Sequence, residues 1–279
     1  EPPAAPPGLS AAQQVAAPMF LLAGLGSSIL FGVVFRRPIG DIACAWRVSY
    51  SPDGRAFSIW GIIYIWMASS VLYQLSYAAG STEVLPAQAT NNLLVGGAFF
   101  FCALWTLAFG ASFDTDRRGN LVTSASFLLA GTVCALGAVG LEQAWREWHR
   151  NPTYVVMVGG PFALFAGWMA TASALSVGIA IKAYTTPPDA ACLLQEDQYS
   201  MRVAADPVDA TSCESWVPLL LAVPVAAQAL IVPDPVLPVA LAWGILLMKR
   251  HAKNRAAHAV LVASSVGAFV LAVLQVWWE

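Results

Sequence analysis

The chain has 279 residues, of which 58% are apolar and 11% charged, with a formal net charge of -2. A soluble domain carries about a quarter of its residues as charges, so this composition belongs in lipid rather than water. It also lacks the basic excess that nucleic-acid binding requires, and that class is excluded.

Residues 1–17 form a Pro/Ala-rich segment opening Glu1-Pro-Pro-Ala-Ala-Pro-Pro-Gly. No cationic stretch precedes an apolar one there, so the segment reads as what is left after a leader has been removed. A hydrocarbon layer of about 30 Å needs about 20 apolar helical residues. Runs of that kind, free of ionised side chains, occupy 18–35, 57–77, 92–109, 121–141 and 154–181, and another closes the chain at 258–278. Between them, 217–248 is interrupted by Pro233, Asp234 and Pro235. Proline cannot donate within a helix, so this stretch reads as two short spans, 217–232 and 235–248, with one kinked span as the alternative.

Basic residues accumulate on the untranslocated side of a membrane, and this decides between the two. With eight spans, one face receives Arg36, Arg37, Arg47, Arg55, Arg117, Arg118, Lys182, Arg202, Lys249, Arg250, Lys253 and Arg255. Only Arg146 and Arg150 remain for the other face. Merging the two short spans moves the last basic loop across and spoils the asymmetry. The expected fold is therefore all-α: a polytopic membrane helix bundle of about eight transmembrane helices. Its divisions are a five-helix membrane core over 18–181, a polar acidic loop over 182–216 and about three C-terminal spans over 217–279. Cys192 and Cys213 in that loop could pair only in an oxidising compartment, and the basic face is the reducing one.

No expected span contains an internal Asp, Glu, Lys or Arg. Pumps and proton relays place such groups at membrane depth, so that chemistry is not expected. No triad, metal cluster or phosphate loop is legible, which argues against an enzyme. Aromatic mass is what the spans carry, with 11 Trp, 13 Phe and 7 Tyr. Trp145, Trp148, Trp216, Trp277 and Trp278 flank span ends as an interfacial belt. Trp60, Tyr64, Trp66, Trp105 and Trp168 lie deeper. Phe57, Trp60 and Tyr64 are spaced three and four apart and share one helical face, where they could line a flat apolar pocket or pack against neighbouring helices. Ala170, Ala174 and Gly178 form a small-residue stripe suited to close helix packing or to a dimer. Gln74 and Gln228 are the amides expected to bond between helices.

The segment Ser51-Pro-Asp-Gly-Arg-Ala-Phe57-Ser-Ile-Trp60-Gly-Ile-Ile-Tyr64, with its Trp-x-x-x-Tyr spacing, resembles the start of the second helix in the tryptophan-rich sensory proteins. These are relatives of the translocator protein, or peripheral-type benzodiazepine receptor. Trp105-Thr-Leu-Ala-Phe109-Gly110 is similar to the end of that family's third helix. The stretch from Pro161 through Trp168 to Ala172-Ser173 is similar to its fifth. The pattern departs in three places. Pro52 stands alone where the family has Pro-Pro-x-Trp, and Cys102 and Ser176 stand where it has Asn.

The resemblance covers 18–181 and implies a five-helix translocator-protein-like core that binds a flat apolar small molecule, tetrapyrrole or sterol-like, and forms a homodimer. Carried over by residue, Trp60, Tyr64, Trp105 and Trp168 would line the pocket beside Phe57, with Pro52 in its lid. No cofactor is required on this reading. The alternative is an accessory subunit of a larger organellar energy-transducing complex, photosynthetic or respiratory. There the aromatic surfaces would contact porphyrin, chlorophyll or carotenoid, with His149, His251 and His258 as candidate pigment ligands. A facilitative carrier for a neutral solute is a third reading. The expected location is the lipid bilayer of a thylakoid or mitochondrial inner membrane, with a bacterial inner membrane as the alternative.

Overall fold

The computed structural model describes residues 11–34, 46, 48, 54–80, 86–111, 117–142 and 151–185, with isolated positions 236, 237, 239, 240, 263, 266, 267 and 270. The long elements among them are helices: α1 (Ala11–Val34), α2 (Ile59–Gly80), α3 (Pro86–Ala111), α4 (Arg117–Glu142) and α5 (Gly160–Thr185). A 3-10 turn, Gly54–Ser58, leads into α2. A helical turn, Pro152–Tyr154, and a π-helical segment, Val155–Gly159, lead into α5. With 22 to 26 residues each, the helices are about 33–39 Å long at 1.5 Å per residue.

Among the described residues, five stretches are long and apolar enough to cross a membrane: Val15–Val34, Ala56–Ser76, Thr90–Ala111, Gly119–Leu141 and Pro152–Thr185. They coincide with the five spans read from the sequence over 18–181. Apart from those isolated positions, the C-terminal spans, the loop with Cys192 and Cys213, Pro52, Gln228 and His149, His251 and His258 fall outside the described residues.

The helices form a ring. α3 packs along α1 and α4, α4 along α5, and α2 closes the circuit through narrower contacts with α1 and α5. Phe109 near the end of α3, Leu121 near the start of α4, and Ile179, Ala180 and Ala183 near the end of α5 share one buried cluster with Trp46 and Val48. That clustering is what an up-and-down bundle with short connections produces. Leu30, Val33, Ile65, Leu72, Phe100 and Val133 are exposed and form the lipid-facing surface. α5 is the exception, buried at every position from Gly160 to Thr171.

Close approach holds the ring together. A Cβ on Gly24 of α1 would lie 2.6 Å from the carbonyl oxygen of Gly96 in α3, so the two backbones meet where neither helix has a side chain. Small residues at a crossing allow this dispersion-rich contact in a membrane. Polar pairs cross between helices as well. The Asn92 amide donates to Gln74 Oε1 at 2.6 Å, and Gln74 Nε2 donates to Ser70 Oγ. Thr132 and Ser173 join hydroxyls at 2.7 Å between α4 and α5. The sequence expectation that Gln74 bonds between helices is met.

The entry to α5 follows from two residues. Asn151 caps the first turn, its Oδ1 accepting from the Tyr154 N–H at 3.0 Å, with Pro152 just inside, an arrangement favoured because Pro lacks a donor that would go unused there. Pro161 explains what happens next. The Gly160 N–H bonds the Val155 carbonyl five residues back, which leaves the Val156 carbonyl to residue 161, and proline has no N–H to give. The Trp66 indole Nε1 of α2 supplies the missing donor, reaching Val156 O at 3.0 Å. Gly160 makes room for the ring, since a Cβ there would lie 2.6 Å from Trp66 Cζ2.

Replacing Trp66 by Phe keeps a ring over Gly160 and removes the donor. The expected result is a loss of about 1–3 kcal/mol in the unfolding free energy of detergent-solubilised protein. An unchanged unfolding curve would contradict the assignment.

Candidate functional site

Where α2, α3 and α5 face one another, six aromatic side chains form a continuous group. Trp60 and Tyr64, one helical turn apart on α2, stack at 5.3 Å between centroids with 29° between planes. Trp60 then meets Phe165 at 6.3 Å and Trp168 edge-on at 6.3 Å, both from α5. Tyr64 faces Phe99 of α3 at 6.3 Å. Phe99 and Phe165 stack nearly parallel at 4.0 Å, and Phe57, in the 3-10 turn before α2, meets Trp168 edge-on at 6.0 Å. Offset-stacked and edge-to-face geometries are those the ring quadrupole favours, at about 0.5–1.5 kcal/mol per pair beyond burial.

The group has a closed side and an open side. Phe99, Phe165 and Trp168 are buried, Trp60 and Tyr64 half-buried, and Phe57 is 41% exposed. At 4.0 Å the Phe99 and Phe165 rings are already in contact, so nothing can slide between them. A planar molecule would instead lie along the rim made by Phe57, Trp60 and Tyr64. The Tyr64 hydroxyl is tied to Ser28 Oγ of α1 at 3.1 Å, which fixes the ring's tilt against Phe99.

Of the side chains singled out from the sequence, Phe57, Trp60, Tyr64 and Trp168 come together here. Phe57 does so from the 3-10 turn rather than from the helix itself. Trp105 stands apart, packed on Phe109 at 5.4 Å and bordering both this core and the second cluster around Trp46. Two members were missed. Phe165 lies three residues before Trp168, and Phe99 three before Cys102, so an i, i+3 reading from either landmark would have reached them. Among the described residues no three or more His, Cys, Asp and Glu side chains gather as a metal site.

Several polar atoms in this half of the molecule are buried without a hydrogen-bond partner: Trp46 Nε1, Trp105 Nε1, Trp168 Nε1 and Ser176 Oγ. Trp168 and Ser176 lie two turns apart on α5. Cys102, where the resemblance leads one to look for Asn, is a buried free thiol.

Residues 14–188, well over half of the chain, match the family described as TSPO-like protein. The chain belongs to the TSPO-like family. The matched region takes in almost all of α1 and the whole of α2 to α5, so the family's extent and the five-helix ring coincide. With five membrane-crossing helices, this TSPO-like chain is an integral membrane protein. No curated protein and no solved structure matches it.

In this TSPO-like bundle the Ser28–Tyr64 bond should couple α1 to the aromatic rim. A double-mutant cycle with Ser28→Ala and Tyr64→Phe is expected to give about 0.6–1.7 kcal/mol of coupling in unfolding free energy, the range for hydrogen bonds between membrane helices. Strict additivity would show that the two groups do not interact.

Proposed function

We propose that this TSPO-like protein binds a flat apolar molecule, of tetrapyrrole or sterol-like outline, along the rim formed by Phe57, Trp60 and Tyr64, in a sensing or ligand-handling role. The observation that carries the proposal is the asymmetry of the aromatic group. Its inner rings are buried and mutually stacked, while its outer rings keep free surface at the entrance to α2. Such a surface offers π-faces and edges to a planar ligand. Binding and release are the work assigned to it, with no bond made or broken. Pro52, just upstream of Phe57, is the proposed lid residue, and the bundle is proposed to continue with about three further spans over 217–279.

A second reading, an accessory subunit of a larger membrane complex, draws on a specific contact. Gly167 of α5 lies so close to the C-terminal part of the chain that a Cβ there would fall 2.6 Å from the Leu237 carbonyl oxygen. Leu237 and Ala240 are fully buried members of the same core as Phe165 and Trp168. Leu237 and Ala240 therefore pack into the core that holds the aromatic group, as an adapted scaffold would.

Titration of the purified protein with a soluble porphyrin should quench its Trp fluorescence saturably. Trp60→Ala should weaken the apparent affinity about tenfold, the equivalent of roughly 1.4 kcal/mol of stacking. Unsaturable quenching, together with migration in a large native complex, would favour the accessory subunit instead.

A further inference from the structure

We infer that the ligand is an amphiphile whose acceptor group, a carboxylate or carbonyl, is received by the second cluster, at the end of the bundle where α3 ends and α4 begins. This rests on the reading of the aromatic rim as a ligand site. Three hydrogen-bonding groups there are buried with nothing to bond. Trp46 is 3% exposed and Ser176 2%, and neither Trp46 Nε1 nor Ser176 Oγ has a partner. Trp105 is half-buried, and its Nε1 is buried without a partner. Trp46 packs with Phe109, Leu121, Ala125, Ala174 and Ile179, and Ser176 lies one turn before Ile179 and Ala180 of that cluster, on the same face of α5. Trp105 touches both this cluster and the aromatic core.

An indole N–H donates and cannot accept. Two indoles therefore cannot satisfy each other. A buried donor left unmet costs free energy, the more so in a bilayer where water is scarce. What complements such a set is an acceptor, and a carboxylate with two oxygens meets two N–H groups at once. Trp105, bordering both clusters, is where the flat part and the acceptor part of one molecule would join.

The test uses the full-length protein and two probes with the same ring system, 1-pyrenebutyric acid and 1-butylpyrene, titrated by energy transfer from Trp to pyrene. Ultraviolet resonance Raman of the indole N–H mode is recorded alongside. The acid should bind on the order of tenfold tighter or more than the hydrocarbon, as expected for a charge-assisted hydrogen bond, and should shift the indole band. Trp46→Phe and Trp105→Phe should each shrink that preference, whereas Trp60→Phe should weaken both probes alike. Equal binding of acid and hydrocarbon with an unmoved indole band would overturn the acceptor assignment and leave the aromatic rim standing. Binding of neither would overturn both. A band already shifted in phosphatidylcholine nanodiscs without probe would show lipid ester carbonyls meeting the donors, which also overturns the assignment to a free amphiphile.

Discussion

Helices in a bilayer gain little from burying apolar surface against one another, because the lipid tails they leave are equally apolar, so association depends on how closely they can approach and which polar groups they can pair. The α1–α3 crossing at Gly24 and Gly96 answers the first requirement. The Ser28–Tyr64, Gln74–Asn92, Thr132–Ser173 and Trp66–Val156 bonds answer the second. Each links a different pair of elements, Gln74–Asn92 across the ring and the others around it. The position of α5 follows, held by α4 on one side and α2 on another, with Leu237 and Ala240 in contact besides. This placement brings Phe165 and Trp168 against Trp60.

The aromatic group depends on that ring in detail. Trp60 and Tyr64 are fixed to each other by the α2 helix, but their relation to Phe99 and Phe165 exists only because α3 and α5 arrive at the same depth. Trp66 contributes to that depth. By donating to the carbonyl that Pro161 leaves unmet, it pins the start of α5 to the middle of α2, two turns before Phe165. A change in the π-helical segment would therefore rotate Phe165 and Trp168 relative to the rim. This links a local backbone irregularity to the geometry of the proposed site, and irregular helical turns of this type recur at functional positions.

Much of the architecture was legible because the bilayer imposes a length and forbids charge, and five uncharged runs of that length mark the five helices. The Trp60–Tyr64 pair was legible from its four-residue spacing, and the family from motifs around Trp60, Trp105 and Trp168. Phe99 was not. It sits in the run Phe99-Phe100-Phe101, where composition cannot say which ring turns inward; the structure buries Phe99 completely and leaves Phe100 52% exposed. Only the rotation of α3 against its neighbours decides that. The role of Trp66 was hidden for a related reason, since its partner is a backbone carbonyl made available by a proline 95 positions away in sequence. Trp105 is a pocket residue by resemblance, and the structure packs it against both the aromatic core and the second cluster.

The proposed function requires a planar apolar ligand to lie on the open rim formed by Phe57, Trp60 and Tyr64. Photo-crosslinking tests it directly, using a porphyrin that carries a diazirine and mapping the modified residues by mass spectrometry. The account predicts labelling at Phe57, Trp60 and Tyr64, competed by unmodified porphyrin. Labelling confined to the lipid-facing side of the same helix, at Ile62, Ile65 and Leu72, would mean that the molecule merely partitions beside the protein, and would contradict it.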